Sequence, residues 1–328
     1  MYPEIPLWLS FVFILGGLWL LAWSASKFVD GASAVAKLLG ISPFIIGMVV
    51  IGFGTSAPEL AVSAISSSMG HSDLSLGNAY GSNVFNIAVI LGIAALIRPV
   101  TVRPMVAFVA SPLLVIIAVL SCLLVCLGGG FSRMDGIVEL LVFAILLPLY
   151  CWFDRKSKNG GNEEESGDGE KIRHPWLVLL AGLVLLALSS HILVWGSVSA
   201  ARTLGVSELL IGLTIIAAGT SLPELAAGIA SARKGEPDFV LGNIIGSNFF
   251  NTLAVVGLSG TIQPFADVSP YVLVRDLPVM VFLSLSIGLF GVNYKNPRKE
   301  GRISRWMAGI WLLVFVAYMT VMFIQELH

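Results

Sequence analysis

Long apolar stretches separated by short polar segments dominate the pattern of hydrophobic and polar positions along this chain. A helix that crosses a bilayer needs about 20 mostly apolar residues, and ten stretches of suitable length occur. The pattern therefore predicts an all-α membrane protein with ten transmembrane helices. The predicted spans are 6–27, 41–69, 73–97, 106–127, 134–153, 175–200, 207–233, 238–262, 274–292 and 304–324.

The second half of the chain repeats the first. Residues 41–99 align with 206–264 at a constant offset of 165 and without a gap. A polar stretch rich in Gly, Asn and Glu, 154–174, predicts a flexible linker between the halves 1–153 and 175–328. Each half has five predicted spans, and because five is odd, the second half enters the membrane from the opposite side. The chain is thus predicted to contain two inverted five-helix repeats.

The distribution of Lys and Arg predicts the orientation of these spans. Cytoplasmic loops carry an excess of basic residues. With the N-terminus outside, 16 of the 19 basic residues fall on the inner side of the predicted topology. The sequence therefore predicts that both termini are outside and that the 154–174 linker is cytoplasmic.

Composition supports a membrane protein and excludes several other classes. The chain is 56% hydrophobic and 12% charged, whereas soluble domains contain about 25% charged residues. With a net charge of −1 and no basic patch, nothing predicts a nucleic-acid partner. The three cysteines, Cys122, Cys126 and Cys151, lie in or beside apolar segments and are interpreted as small buried hydrophobic residues rather than disulfide or metal-binding residues.

The most informative motif is duplicated within two of the apolar spans. It reads Gly-Thr-Ser-Ala-Pro-Glu at 54–59 and Gly-Thr-Ser-Leu-Pro-Glu at 219–224. A carboxylate at bilayer depth is costly and is by default a functional-site candidate, and the spans offer no Lys or Arg at depth to pair with it. In a helix, residues three and four positions apart share one face. The motif therefore predicts two polar clusters: Thr55, Ser56 and Glu59, and Thr220, Ser221 and Glu224.

The proline of each motif predicts a break in the helix. Proline lacks an N–H group and clashes with the preceding turn. Backbone carbonyl oxygens near Gly52 and Ala217 then become candidate ion ligands if they face a cavity.

A second duplicated motif supplies further oxygen atoms. Residues 77–86 and 242–251 share the pattern Gly-Asn-x-x-Gly-Ser-Asn-x-Phe-Asn. The glycine pairs have GxxxG spacing, which permits close helix contact. Such Ser and Asn residues commonly bond neighbouring helices, but their duplication beside the glutamates favours a role in one shared site. The candidates are Ser82, Asn86, Ser247 and Asn251.

Carboxylates, hydroxyls, amides and carbonyls are the ligands of hard cations such as Ca²⁺ and Na⁺, whereas soft metals select Cys or His. Two carboxylates balance one divalent or two monovalent cations, so the two kinds of ion could compete for one place. By contrast, Glu139 near the end of the fifth span is expected to reach the membrane interface or to pair locally, and His191 to be a packing residue. No HExxH motif, membrane aspartate pair or Ser/His arrangement predicts an enzyme.

The paired motifs resemble those of the calcium/cation antiporter superfamily, specifically its compact prokaryotic sodium/calcium exchanger type. The resemblance covers the whole ten-span layout and implies a prokaryotic inner-membrane protein without a cofactor. It also implies ion ligation by Glu59 and Glu224, with Asn251 standing where potassium-dependent members carry Asp. The other implied ligands are Gly52, Thr55, Ser56, Ser82, Asn86, Ala217, Thr220, Ser221 and Ser247.

The expected function is secondary antiport that extrudes Ca²⁺ in exchange for Na⁺ by alternating access. H⁺-coupled cation exchange is the alternative, because either glutamate could carry a proton. A passive channel is a further alternative, which the inverted pair of broken helices disfavours.

Overall fold

The protein is a bundle of helices with one small pair of strands. The computed structural model describes residues 3–70, 72–127, 130–158, 172–206, 215, 217–265 and 268–326. In chain order, we number the helices α1 (Leu7–Leu39), α2 (Pro43–Thr55), α3 (Ala57–Ser68), α4 (Leu74–Ile97), α5 (Val106–Cys126), α6 (Arg133–Lys158), α7 (Pro175–Thr203), α8 (Ala217–Thr220), α9 (Leu222–Lys234), α10 (Pro237–Ile262), α11 (Val272–Gly291) and α12 (Arg305–Glu326).

Within the described ranges, eight helices are long and apolar enough to cross a membrane, and the bent pair α2 and α3 raises this number to nine. The predicted second span, 41–69, corresponds to this bent pair. The predicted seventh span, 207–233, begins in residues outside the described part of the chain, so ten helices remain a prediction. The first helix is longer than predicted, because it continues beyond residue 27 to Leu39 and ends at Gly40 with φ 61°.

The all-α prediction misses two short strands. β1 (Val100–Val102) pairs in antiparallel fashion with β2 (Gly301–Ile303). Both strands lie in segments between helices, where backbone polar groups need partners that a helix no longer supplies. The pair links the end of α4 to the start of α12, and Arg305 Nε also donates to the Leu96 carbonyl oxygen at 3.0 Å.

Helices α1 and α7 cross through glycine contacts that occur twice. A Cβ at Gly17 would lie 3.0 Å from Leu193, and a Cβ at Gly182 would lie 2.7 Å from Phe28. Positions 17 and 182, like 28 and 193, are 165 residues apart. The 165-residue offset found in the sequence of 41–99 therefore extends to α1 and α7. The contact of Gly182 with Phe28 is the counterpart of the contact of Gly17 with Leu193, with the roles of the two helices exchanged.

Two helices from opposite halves form the centre of the bundle. The most apolar 18-residue window of α10 is 100% buried and that of α4 is 72% buried, against 11% for α12. Helices α2, α3 and α9 pack around this pair. The duplicated motifs of both halves therefore meet in the interior.

Candidate cation site

Both Gly-Thr-Ser-x-Pro-Glu motifs lie where one helix ends and another begins. The axes of α2 and α3 differ by 44°. At the junction Ser56 has φ −83° and ψ 5°, and its counterpart Ser221 between α8 and α9 has φ −91° and ψ 8°. The prolines of both motifs lie in the first turn of the following helix, where the missing N–H leaves no bond unmade. Each proline is therefore the second residue of a new helix.

The glutamates occupy the first turns of α3 and α9. The N-terminal turn of a helix carries partial positive charge and favours an anion there. Glu59 is 0% exposed and Glu224 is 1% exposed. The two carboxylates also lie close enough to interact electrostatically with each other. The fold thus places both predicted carboxylates in one buried region, as the duplication predicted.

Each glutamate accepts a hydrogen bond from the other half of the chain. Ser221 Oγ donates to Glu59 Oε1 at 3.1 Å, and Ser56 Oγ donates to Glu224 Oε1 at 3.0 Å. The two glutamates are 165 residues apart in the sequence, and so are the two serines. The two hydrogen bonds are therefore equivalent contacts, one for each half of the chain. The remaining oxygen of each carboxylate, Oε2, is buried and has no hydrogen-bond partner among the described residues.

The threonines lie beside the carboxylates of the opposite half. Thr55 Oγ1 donates to the Ile51 carbonyl oxygen at 2.9 Å and interacts with Glu224. Thr220 interacts with Glu59. Both predicted threonines therefore belong to the same region as the two glutamates.

The predicted serines of α4 and α10 make different contacts. Ser247 Oγ donates to the Gly52 carbonyl oxygen at 3.3 Å, whereas Ser82 Oγ lies 3.4 Å from Ser221 Oγ. The Gly52 carbonyl also accepts the Ser56 N–H at 3.1 Å, so it is not freed by the break. Ion ligation by Gly52 stays a prediction, as does ligation by Ala217, the first residue of α8.

The two predicted asparagines are buried on the central helices, at wide π-helical turns. Asn86 begins the turn Asn86–Leu91, and Asn251 lies in the turn Phe250–Val255. Such turns often occur at functional sites. Asn86 Nδ2 donates to Asn248 Oδ1 at 3.0 Å, which leaves the Asn86 amide oxygen unbonded in the described structure. Neither side-chain polar atom of Asn251 has a described partner.

Sequence reasoning missed two asparagines that hold the broken helices in place. Asn78 Nδ2 donates to the Glu59 carbonyl oxygen at 3.2 Å, and Asn243 Nδ2 donates to the Glu224 carbonyl oxygen at 3.3 Å. Both positions are duplicated, and both lie four residues before a predicted serine. That spacing places them on the same helix face as the predicted site residues, so the signal was present in the sequence.

Buried oxygens without hydrogen bonds are the chemical feature of this region. Among the described site residues, Glu59 Oε2, Glu224 Oε2, Asn86 Oδ1 and Asn251 Oδ1 share it. A buried acceptor left unsatisfied is costly, and an unpaired buried carboxylate is more so. A bound cation would satisfy these acceptors and balance the charge. Within the described part of the chain, no group of three or more His, Cys, Asp and Glu residues gathers as a conventional metal cluster.

The expectation for Glu139 is wrong. Its side chain is 0% exposed and does not reach a membrane interface. Neither carboxylate oxygen has a hydrogen-bond partner in the described ranges. The sequence places Glu139 near a helix end, but the contact between α6 and α10 covers that end.

Comparison with known proteins assigns the chain to a family. The sequence model of the family described as "Sodium/calcium exchanger protein" matches residues 9–152 and 174–324. The putative antiporter CaxA of Alkalimonas amylolytica is 40% identical, over 95% of this chain and 98% of its own length. The inner membrane protein YrbG of Escherichia coli is 37% identical, over 86% of this chain and 88% of its own length.

A solved structure of the sodium-calcium exchanger NCX_Mj, soaked with Na⁺ and Sr²⁺, has the same fold. It is 30% identical, with a TM-score of 0.81 over 96% of this chain and 99% of that chain. The similarity therefore includes both halves of the chain. The chain belongs to the sodium/calcium exchanger protein family.

Proposed function

We propose that this protein is a secondary antiporter that exchanges Na⁺ for Ca²⁺ by alternating access and extrudes Ca²⁺. The observation that carries the proposal is that each of Glu59 and Glu224 accepts a hydrogen bond from the serine of the opposite motif. The other carboxylate oxygen of each glutamate is buried and has no hydrogen bond among the described residues. Family membership and the similarity to NCX_Mj support cation/Ca²⁺ antiport.

The proposed ion ligands come from both halves. Glu59 and Glu224 supply the charge, and hydroxyl, amide and carbonyl oxygens complete the set. Ca²⁺ takes about 6–8 oxygen ligands, and the proposed set offers enough of them. The further ligands are Gly52, Thr55, Ser56, Ser82, Asn86, Ala217, Thr220, Ser221, Ser247 and Asn251.

The proposed topology has ten helices in two inverted repeats, 1–153 and 175–328, joined by a cytoplasmic linker at 154–174. Both termini are then outside. The contacts that recur with the halves exchanged support a two-fold relation between the repeats. Movement of α1 and α7, which carry no proposed ligand, relative to the central helices would expose the site alternately to each side.

The coupling ion is tested by transport into inverted vesicles. Vesicles loaded with Na⁺ are compared with Na⁺-free vesicles that are acidic inside, and Ca²⁺ uptake is measured in both. We expect uptake in the Na⁺-loaded vesicles. Uptake in the acid-loaded vesicles alone would replace Na⁺ by H⁺ as the coupling ion, which a glutamate could carry. Uptake that needs neither gradient would indicate a channel.

The role of the carboxylates is tested by Glu59→Gln and Glu224→Gln. Each change keeps the size of the side chain but removes one of two charges, so we expect Na⁺-driven Ca²⁺ flux to be lost. Ca²⁺ should also no longer raise the unfolding temperature, because a ligand stabilises only in proportion to its binding. Asp135→Asn is the matched control, since Asp135 is partly exposed and its carboxylate accepts hydrogen bonds only from the neighbouring Ser132 among the described residues. Flux retained in either glutamine variant would contradict the proposal.

A further inference from the structure

Glu139 is a buried carboxylate that the proposed exchange does not use. It lies on α6, where the helix packs directly against α10. A Cβ at Gly257 of α10 would lie 3.1 Å from the Glu139 Cβ, and a Cβ at Gly136 would lie 2.6 Å from the Gly257 carbonyl oxygen. The two backbones are thus in close contact at this point, and Glu139 is 0% exposed.

The surroundings of Glu139 offer hydroxyl groups but no described ion pair. Tyr80 of α4 and Ser121 of α5 are hydrogen-bonded to each other at 2.7 Å. Tyr80 lies close enough to interact electrostatically with the Glu139 carboxylate, and the Ser121 hydroxyl lies close enough for a weak hydrogen-bonding interaction with it. Within the ranges that the structure covers, neither carboxylate oxygen has a hydrogen bond of normal length and angle.

The other titratable groups nearby do not neutralise a negative charge. Asp135, one turn earlier on α6, is itself acidic and interacts with Glu139. Cys122 and Cys126 of α5 interact with Tyr80. Within the described ranges, no Lys, Arg or His forms an ion pair with Glu139.

A charged carboxylate here would be buried and uncompensated, which is strongly unfavourable. A hard cation such as Ca²⁺ would compensate it but takes about 6–8 oxygen ligands. Two hydroxyls and one carboxylate are too few. A proton needs only one oxygen and removes the charge.

We propose that Glu139, together with Tyr80 and Ser121, is a proton-binding site separate from the region around Glu59 and Glu224. The occupied form is the neutral acid, whose O–H can donate toward the hydroxyl pair. Tyr80 lies on α4, which carries Ser82, and Gly257 lies on α10, which carries Ser247. Loss of the proton would therefore place an unpaired charge between the helices of the candidate cation site and loosen their packing.

Two measurements on the purified protein in lipid nanodiscs test this proposal. Infrared spectroscopy detects the carbonyl stretch of a protonated carboxyl group, and thermal unfolding is followed from mildly acidic to strongly alkaline pH. Both use saturating Ca²⁺, wild type, Glu139→Gln and Glu139→Met. The Met variant serves if the amide of Gln prevents folding. Asp135→Asn is the control on the same helix.

We expect the wild type to show the protonated-carboxyl band and both Glu139 variants to lack it. Release of one proton on unfolding changes the unfolding equilibrium constant by about tenfold per pH unit. The wild type should therefore lose stability as pH rises in this proportion, and the Glu139 variants should lose this dependence while Asp135→Asn retains it.

Several results would overturn the proposal. These are a wild-type spectrum without the band, a band that persists in a folded Glu139 variant, or a pH dependence that only Asp135→Asn removes. Neither measurement requires transport. A protein that does not exchange Na⁺ for Ca²⁺ could therefore still show the protonated carboxyl group, and the two proposals are tested separately.

Discussion

The GxxxG motif of α10 has described neighbours, whereas the residues expected to face the GxxxG motif of α4 lie outside the described part of the chain. In α10, a Cβ at Gly246 would lie 2.6 Å from the Met48 Cα, and a Cβ at Gly242 would lie 3.0 Å from the Gly47 Cα. In α4, a Cβ at Gly77 or at Gly81 would have no described atom within 4 Å. By the 165-residue offset, their partners would be 212 and 213, which lie outside the described residues.

The carboxylates, by contrast, can be compared in both halves. Glu59 and Glu224 each accept a hydrogen bond from the serine of the opposite motif. These equivalent contacts support the two-fold relation proposed for the repeats. We therefore expect Gly81 of α4 to need as close an approach as Gly246 of α10.

The largest expected effect comes from adding a methyl group at Gly246. Gly246→Ala would push a Cβ into the backbone at Met48, which cannot yield as a side chain can. Overpacking costs about 1–3 kcal/mol and more where the backbone must shift. We expect a lower unfolding temperature or loss of the folded protein, measured by thermal unfolding in detergent.

Gly81→Ala is the matched comparison. If the halves are equivalent at this motif, Gly81→Ala should destabilise the folded protein about as much as Gly246→Ala does. Thermal unfolding in detergent measures both variants, and a Gly81→Ala variant with unchanged stability would contradict the expected equivalence.

A smaller effect is expected from the serines that bond the carboxylates. Ser56→Ala and Ser221→Ala each remove one hydrogen bond to a glutamate, and a bond to a charged group contributes about 1.5–3 kcal/mol. We expect Ca²⁺ affinity, measured by calorimetry, to fall at least about tenfold in both variants. Ser221 also lies 3.4 Å from Ser82, so the loss of Ca²⁺ affinity in Ser221→Ala should be at least as large as in Ser56→Ala. A large effect in one half alone would show that the site is not symmetric.

The smallest effect is expected from the asparagines that hold the broken helices. Asn243 is buried, whereas Asn78 is half-buried and also donates to Ser63 Oγ at 2.9 Å. Removing Asn243 leaves the Glu224 carbonyl oxygen without this bond in a dry interior, which costs about 1–3 kcal/mol. Asn78→Ala should cost less, because Asn78 is only partly buried. Denaturant unfolding of both variants measures the difference, and a greater loss for Asn78→Ala would contradict the assigned burial.

Much of the candidate site was predictable because polar residues in apolar spans are conspicuous. Glu59 and Glu224 were identified by depth and duplication, and the fold brings them together. The Gly52 carbonyl was a weaker inference, since whether a carbonyl is free depends on neighbours such as Ser247. The end predicted for the first span near residue 27 was wrong because it, too, depended on a contact with a distant part of the chain. Asp30 beyond that point is paired with Lys234 of α9 at 2.5 Å, which allows the helix to continue.

The sequence by itself determined the membrane character, the repeat offset and the identity of the oxygen-rich motifs, because these depend on residue types and spacing along one chain. Only the tertiary structure decided which serine bonds which carboxylate, that α10 packs closely at Gly246, and that Glu139 is buried. Those features depend on distances between helices that are remote in sequence.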